Sequence, residues 1–300
     1  MIIDQPGKVT ERITLLGTKE SCVYLLDGGE SYTLLGGGFT SIAPAVEGQL
    51  KDLEIEPERI HQLVILHSHF DHCGIVPYFK KKWPWIRVVA SERAKKLLST
   101  PKVAAGIGAL NRQRLKEVLP DVSAGDLCLD GFNIGVDRVV ADGDILTCGR
   151  LDLQVLETPG HSTCSLSLYF PLEKALFASD AAGIPTGEMV FTAANSSFDD
   201  YLRSLERMFA LEPEILLAEH QGCRTGEDCR KFMALSRESA LQTRDLVEST
   251  YARTGDIEKS TEEITDKFMT MVPGGWMSAW VMKLVVGSMV YQVSRRRSKV

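Results

Sequence analysis

The hexapeptide His67-Ser68-His69-Phe70-Asp71-His72 sets four side chains able to bind a metal within six residues. No packing rule calls for such a string, because three imidazoles and a carboxylate side by side are costly to bury unless they share a partner. Imidazole and carboxylate are the donors that zinc, iron and manganese accept. Alternation along an extended segment points His67 and His69 the same way, and the following turn can return Asp71 and His72 to a neighbouring position. One metal ion would explain the string; two explain it better. The chain has only six histidines, so the remaining ones are informative. His161 stands in Thr158-Pro159-Gly160-His161-Ser162, His220 follows an apolar run at 214–218, and Asp180 closes Phe177-Ala178-Ser179-Asp180. Each alone would be an ordinary loop residue. Together with the string they form a candidate ligand set at strand ends, where α/β folds gather their sites. His61 is left over and reads as a surface or structural residue.

Such a set needs strands that finish close together. Residues 62–66 are a continuous apolar run that suits a buried strand and leads directly into His67. Short apolar runs at 13–16, 22–26 and 32–35, separated by Gly17 and by Asp27-Gly28-Gly29, read as earlier strands. Helical patterns at 42–53 and near 74–82, a strand at 86–90 and a helix opened by Ser91 as N-cap complete a first half. A second set of strands is expected at 138–140, 145–147, 151–157, 165–170 and 175–178, followed by a helix at 198–210 and a strand at 214–218. Residues 98–135 lack strand periodicity, with a helix over 107–119, and read as a helical insertion or lid. Beyond residue 225 only helical patterns remain, with a turn at Pro273-Gly274-Gly275 before a last helix at 276–293. The alternation predicts an α/β layered fold, divided into a catalytic domain over 1–224 and a C-terminal helical extension over 225–300.

Composition narrows the partners. With 44% hydrophobic residues over 300 positions there is ample material for a core. A net charge of -6, from 34 basic and 40 acidic residues, leaves no basic footprint for a phosphate backbone, so nucleic acid is not expected. The start MIIDQPGKVTER lacks a basic segment followed by an apolar run, which points to a cytoplasmic address. Seven cysteines without a C-x-x-C pair suit reduced thiols, and Cys73 beside the string reads as a small buried thiol. Ser278, Lys283, Gly287, Ser288 and Gln292 interrupt the last helix, which is therefore expected to pack against the body and not to insert stably into a membrane. Its apolar character allows a homodimer.

Taken in order, HSHFDH, TPGHS, SDA and AEHQG resemble the metallo-β-lactamase superfamily over about residues 10–225. The resemblance implies an αββα sandwich and two divalent metal ions, Zn or Fe with Mn as a third candidate. It places His67, His69 and His161 on the first ion, Asp71, His72 and His220 on the second, and Asp180 between both. Asp180 in place of a cysteine sets the chain apart from the commonest β-lactamases, and His69 in place of a glutamate from the flavodiiron branch. The pattern resembles glyoxalase II, lactonases and phosphodiesterases. His72-Cys73-Gly74-Ile75-Val76-Pro77-Tyr78, with Leu110-Asn111-Arg112-Gln113, Ala141-Asp142-Gly143 and Gly287-Ser288-Met289, is similar to the quinolone-signal response thioesterase branch.

What this implies is hydrolysis of a small-molecule acyl thioester, or a related ester, by a metal-bridging hydroxide that Asp71 orients as catalytic residue. Trp276, Met277 and Trp280 are the candidates for lining the substrate pocket, with the C-terminal helices covering the acyl group. The alternatives are a lactonase or phosphodiester hydrolase with the same ligands, and a regulatory protein whose output is a protein interaction. Two departures stand out. Gly36-Gly37-Gly38 occupies the loop where the family usually has an acidic turn, and Glu219 and Gln221 flank His220 where glycines are usual. A contact that orients a ligand is therefore either missing or supplied elsewhere.

Overall fold

The segments Ser21–Asp27 and Leu166–Phe170 are buried at nearly every position, so each belongs to a sheet covered on both faces. The computed structural model describes residues 1–187, 189–274 and 277–297, with side chains through Arg295. The first half runs through β1 (Ile2–Ile3), β2 (Gly7–Lys8), β3 (Ile13–Thr18), β4 (Ser21–Asp27), β5 (Tyr32–Leu35), α1 (Ala43–Asp52) and β6 (Ile60–Val64). It continues with α2 (Val76–Lys82), β7 (Arg87–Ser91), α3 (Glu92–Leu98), α4 (Pro101–Val118) and β8 (Arg138–Val140). The second half holds β9 (Ile145–Cys148), β10 (Leu151–Glu157), β11 (Leu166–Phe170), β12 (Ala175–Phe177), the hairpin β13 (Ile184–Thr186) and β14 (Met189–Phe191), α5 (Phe198–Phe209), β15 (Ile215–Leu217) and β16 (Cys223–Thr225). Helices α6 (Glu227–Thr254), α7 (Ile257–Met271) and α8 (Ala279–Arg297) follow.

Two seven-stranded sheets result, in the orders β2-β3-β4-β5-β6-β7-β8 and β1-β16-β15-β12-β11-β10-β9. In the first, β5 to β8 are mutually parallel, as helical crossovers require. The second is antiparallel except where β12 meets β15. Leu15, Tyr24 and Val64 of one sheet share an apolar cluster with Leu153, Leu168 and Phe177 of the other, which makes the inner core. On the outer face of the first sheet, Leu34, Leu63 and Val88 pack with Val46, Phe79 and Leu115 of α1, α2 and α4. On the opposite flank, Leu176 and Leu216 pack with Tyr201 and Leu205 of α5, Val247 of α6, Phe268 of α7 and Met289 of α8. The fold is the expected αββα sandwich, with helices at its C-terminal end.

Several boundaries differ from the sequence reading for identifiable reasons. The β6 ladder ends at Val64, because Leu66 turns its carbonyl to the N–H of Leu166 in the other sheet at 2.8 Å. His67 therefore begins where the chain crosses between sheets. Helix α4 starts at Pro101, a residue suited to the first helical position, and Gly106 and Gly108 hide the apolar period of its opening turns. The hairpin β13–β14 and strand β16 are three residues each, and Pro185 and Arg224 interrupt the apolar pattern that reveals the equally short β12 and β15. Ser91 is the N-cap expected, its hydroxyl accepting the Ala94 N–H at 3.1 Å. Among the described residues no helix is long and apolar enough to cross a membrane.

Candidate metal centre

The segment carrying the hexapeptide is held on two sides before any ligand is considered. Gly74 and Ile75 donate their N–H groups to the carbonyls of Gly38 and Gly37 at 2.7 and 2.9 Å. A Cβ at Gly37 would stand 2.6 Å from the His72 carbonyl oxygen and 2.8 Å from the Cys73 Cα, so this close approach of two backbones needs glycine. From the other side, Asn111 on α4 accepts the Thr40 N–H at 2.8 Å and donates to the Phe70 carbonyl at 2.6 Å. Cys73 is buried with its thiol directed at the His69 carbonyl, and burial pushes its pKa up. The small-thiol reading of Cys73 holds.

The turns after the strands of the second sheet bring the distant residues to this segment. His161 lies in the loop after β10, Asp180 in a short helical turn after β12, and His220 three residues beyond β15. The last two thus sit in loops just past their strands and do not end them. His69 Nδ1 is 2.9 Å from His161 Nε2, and the His67 ring centroid is 4.6 and 4.8 Å from those two rings. His72 Nε2 is 3.1 Å from His220 Nε2, 3.5 Å from Asp71 Oδ2 and 3.2 Å from Asp180 Oδ2. Asp180 is also 3.5 Å from His161 Nε2 and 3.7 Å from His220 Nε2, so it stands between the two groups. All seven residues of the sequence-derived set meet in one cluster.

Hydrogen bonds define where the lone pairs point. His161 Nδ1 faces the Ala193 carbonyl at 2.8 Å and His220 Nδ1 faces the Glu20 carbonyl at 2.7 Å. A carbonyl only accepts, so both Nδ1 atoms carry hydrogen and both Nε2 atoms are turned to the cluster. His67 Nε2 is buried without a hydrogen-bond partner. Burial, reinforced by the neighbouring imidazoles, holds His67 far below its ordinary range and brings His69 down to about 3. Burial likewise lowers His161. For Asp71 and Asp180 burial alone would favour the neutral acid, but the charge of His72 outweighs it and both stay ionised. Burial would also discharge His72, yet Asp180, Asp71 and Glu219 overcome that and raise its pKa, and a cation held at Nε2 would take the place of that proton. The neutral nitrogens of His67, His69 and His161, converging with ionised carboxylates in a buried pocket, are a donor set that fits divalent cations. Ligand atoms of His67, His69 and His161 lie within 4.8 Å of one another, as do those of Asp71, His72 and His220.

A cavity of about 510 Å³ opens against Asp71 and His220. Phe39, Phe70, Leu110, Ile184 and Val281 supply apolar wall, with Glu20, Arg114 and Glu117 among its polar members. Met277 and Trp280, the candidates for a substrate pocket, are among the residues that line this cavity, and Trp280 keeps 44% of its surface exposed. Trp276 lies outside the described residues. Arg114 is paired with Glu20 at 2.6 Å and sits over the Phe39 ring.

Sequence reasoning did not single out Asn111, Ser179 or Glu219 for a role at the site. The usable signal was the acid directly before a ligand histidine. Glu219 is 2% exposed, and a buried acid beside a cluster of imidazoles has reason to be there. Gln221 takes φ 58°, the left-handed conformation that favours glycine, with its N–H on the Lys19 carbonyl at 2.7 Å.

Residues 17–220 match the family model described as the metallo-beta-lactamase superfamily. Among curated relatives, an acyl-coenzyme A thioesterase MBLAC2 of Gallus gallus is 28% identical over 49% of this chain and 50% of its own length. A hydroxyacylglutathione hydrolase of Rhodopseudomonas palustris (strain BisB5) is 30% identical over 46% of this chain and 40% of its own. The matched region thus spans half or less of these relatives. Among solved structures, the metallo-beta-lactamase family protein TTHA1429 from Thermus thermophilus covers 97% of this chain and 95% of its own, with a TM-score of 0.68 at 18% identity. The sandwich and its C-terminal helices therefore have a counterpart of known fold.

Proposed function

This chain belongs to the metallo-beta-lactamase superfamily, and from that premise we propose that it is a metal-dependent hydrolase of acyl thioesters. The observation that carries the reading is the mostly apolar cavity that ends on Asp71 and His220, beside a buried set of nitrogen and carboxylate donors. His67, His69 and His161 would hold one divalent ion and Asp71, His72 and His220 a second, with Asp180 serving both. Ions held there would lower the pKa of a water toward neutrality and polarise the substrate carbonyl.

The chain's own residues do the rest. The Ala193 and Glu20 carbonyls fix the rings of His161 and His220 so that their Nε2 atoms face the cluster. Asp71, ionised and partly open to the cavity, orients the attacking water and takes its proton on a carboxylate oxygen. Phe39, Phe70 and Trp280 seat the acyl arm and keep bulk water from it. The leaving thiolate needs little protonation, which suits a site without a dedicated acid. In this reading α8, the segment just before it and α4 form walls of the acyl pocket, since Trp280, Met277, Leu110 and Arg114 all line it. A phosphodiester fits less well, because the described lining sets Glu20, Asp71 and Glu117 against the single cation Arg114. The thioesterase and hydroxyacylglutathione hydrolase names of the curated relatives point the same way.

The test is the initial rate on acyl thioesters of graded chain length, a long-chain homoserine lactone and a phosphodiester, with metal-loaded wild type beside His69→Ala. Thioester turnover that disappears in the variant is expected. Absence of turnover on every compound at full metal occupancy would overturn the reading.

A further inference from the structure

Position 36 is glycine with φ +90°, and a Cβ built there would stand 2.5 Å from Glu219 Oε1 and 3.0 Å from its Cδ. The Glu219 carboxylate thus fills the space that a side chain at 36 would need. We propose that Glu219 is the positioning residue shared by both halves of the metal centre, reaching them because residue 36 is glycine. The inference rests on the two-ion reading above.

The contacts of the carboxylate carry the argument. Its Oε2 lies 3.0 Å from His72 Nδ1, an ion-pair approach and not a well-aligned hydrogen bond. The other nitrogen of that ring, Nε2, is the one facing Asp71, Asp180 and His220. The ring is therefore held from behind by the carboxylate, which keeps hydrogen on Nδ1 and leaves Nε2 as the nitrogen from which a cation would displace the proton. The same Oε2 accepts the hydroxyl hydrogen of Ser179. A serine has one hydrogen to give, so towards His67 Nδ1, 3.2 Å away, Ser179 Oγ can only accept. That assigns hydrogen to His67 Nδ1 and leaves Nε2 bare, the buried atom that has no hydrogen-bond partner. One carboxylate thus sets the tautomer of His72 directly and that of His67 through a hydroxyl.

The backbone makes the arrangement stiff. Ser179 is held at φ 49° directly before Asp180, and Glu219, directly before His220, accepts the Cys22 N–H on its carbonyl at 2.8 Å. Segments bearing four ligands therefore meet at one buried acid.

Cobalt(II) binding to the full-length protein, followed by calorimetry and by the cobalt d–d absorption bands, tests this on wild type, Glu219→Gln, Glu219→Ala and Ser179→Ala. Circular dichroism checks that each is folded, and the isosteric Gln variant keeps the test open should Ala destabilise the chain. Wild type is expected to take two ions per chain. Glu219→Gln should lower affinity about 10- to 100-fold in both binding events and alter both sets of bands, whereas Ser179→Ala should weaken one event and leave the other. Gly36→Ala should weaken binding more in the wild-type background than in Glu219→Ala, where the clash with the carboxylate is gone and only the strain of φ +90° remains. Two ions bound to folded Glu219→Gln and Glu219→Ala with wild-type affinity and spectrum would overturn the inference. So would loss of one event in Glu219→Gln with Ser179→Ala unaltered, which would make Glu219 a ligand itself. Fewer than two ions on wild type would instead overturn the two-ion reading.

Discussion

Asn111 gives the sharpest test of how the ligand loop is held. It is 0% exposed, and its amide accepts the Thr40 N–H at 2.8 Å while donating to the carbonyls of Phe70 at 2.6 Å and Ile107 at 3.2 Å. Asn111→Ala strands the Thr40 N–H and the Phe70 carbonyl, each at a cost of about 1–3 kcal/mol. Allowing for partial relaxation, the loss should be about 2–5 kcal/mol, or roughly 3–8 °C in Tm for a chain of this size. Asn111→Asp separates the two contacts. The carboxylate still serves Thr40, but it sets an oxygen against the Phe70 oxygen unless it carries a proton, so its native pKa must rise above the unfolded value near ~4. A raised native pKa gives stability that is complete below the unfolded pKa and is lost as pH rises through the native one. Relative to wild type, the Asp variant should therefore lose about 1.4 kcal/mol per pH unit above pH ~4 until it levels off. Urea unfolding of the three proteins from pH 4 to 8 measures this. An Ala variant within about 0.5 kcal/mol of wild type, or an Asp variant parallel to wild type at all pH values, would refute the account.

Other expectations follow from the same geometry. Gly37→Ala puts a Cβ 2.6 Å from the His72 carbonyl, between two backbones that cannot both yield, so metal content by atomic absorption should fall together with thermal stability. Trp280→Ala, at a site 44% exposed, should leave Tm within a few degrees yet lower kcat/KM for long-chain thioesters about 5- to 30-fold, with short chains much less affected, as steady-state kinetics would read. Burial pushes Cys22 and Cys223 up to about 12 and Cys148 and Cys229 up to about 11, so their thiolates are scarce at pH 8. Cys128 alone of the seven is not buried. Native mass spectrometry after brief iodoacetamide treatment should show one adduct, on Cys128.

The candidate ligands were legible because their chemistry is rare and local: imidazoles and carboxylates crowd into 67–72, and His161 and His220 follow segments that read as strands. The long strands were legible for the same reason, their period being expressed over enough residues. Glu219 was seen only as an oddity beside His220, because its meaning depends on the empty place at Gly36, 183 positions earlier in sequence. Ser179 was hidden in a turn whose left-handed φ no serine advertises. The hairpin β13–β14 and the strand β16 escaped because Pro185 and Arg224 break the apolar runs that mark the equally short β12 and β15, and the end of β6 was misjudged because apolar Leu66 serves the opposite sheet.

The centre draws its donors from both sheets, and this has a consequence for how the chain is made. His69 meets His161 across 92 positions, and His72 meets His220 across 148. No ribosomal intermediate lacking the second sheet can offer the whole set, so a cation cannot nucleate this protein as zinc does a finger, where the ligands are neighbours. The clasp closes only after two large loops have been drawn shut, each at an entropic cost that grows slowly with its length. Metal capture is then a late event that reports a finished sandwich. From that moment it acts as a lock, adding about 2.7 kcal/mol for every hundredfold excess of free ion over its dissociation constant.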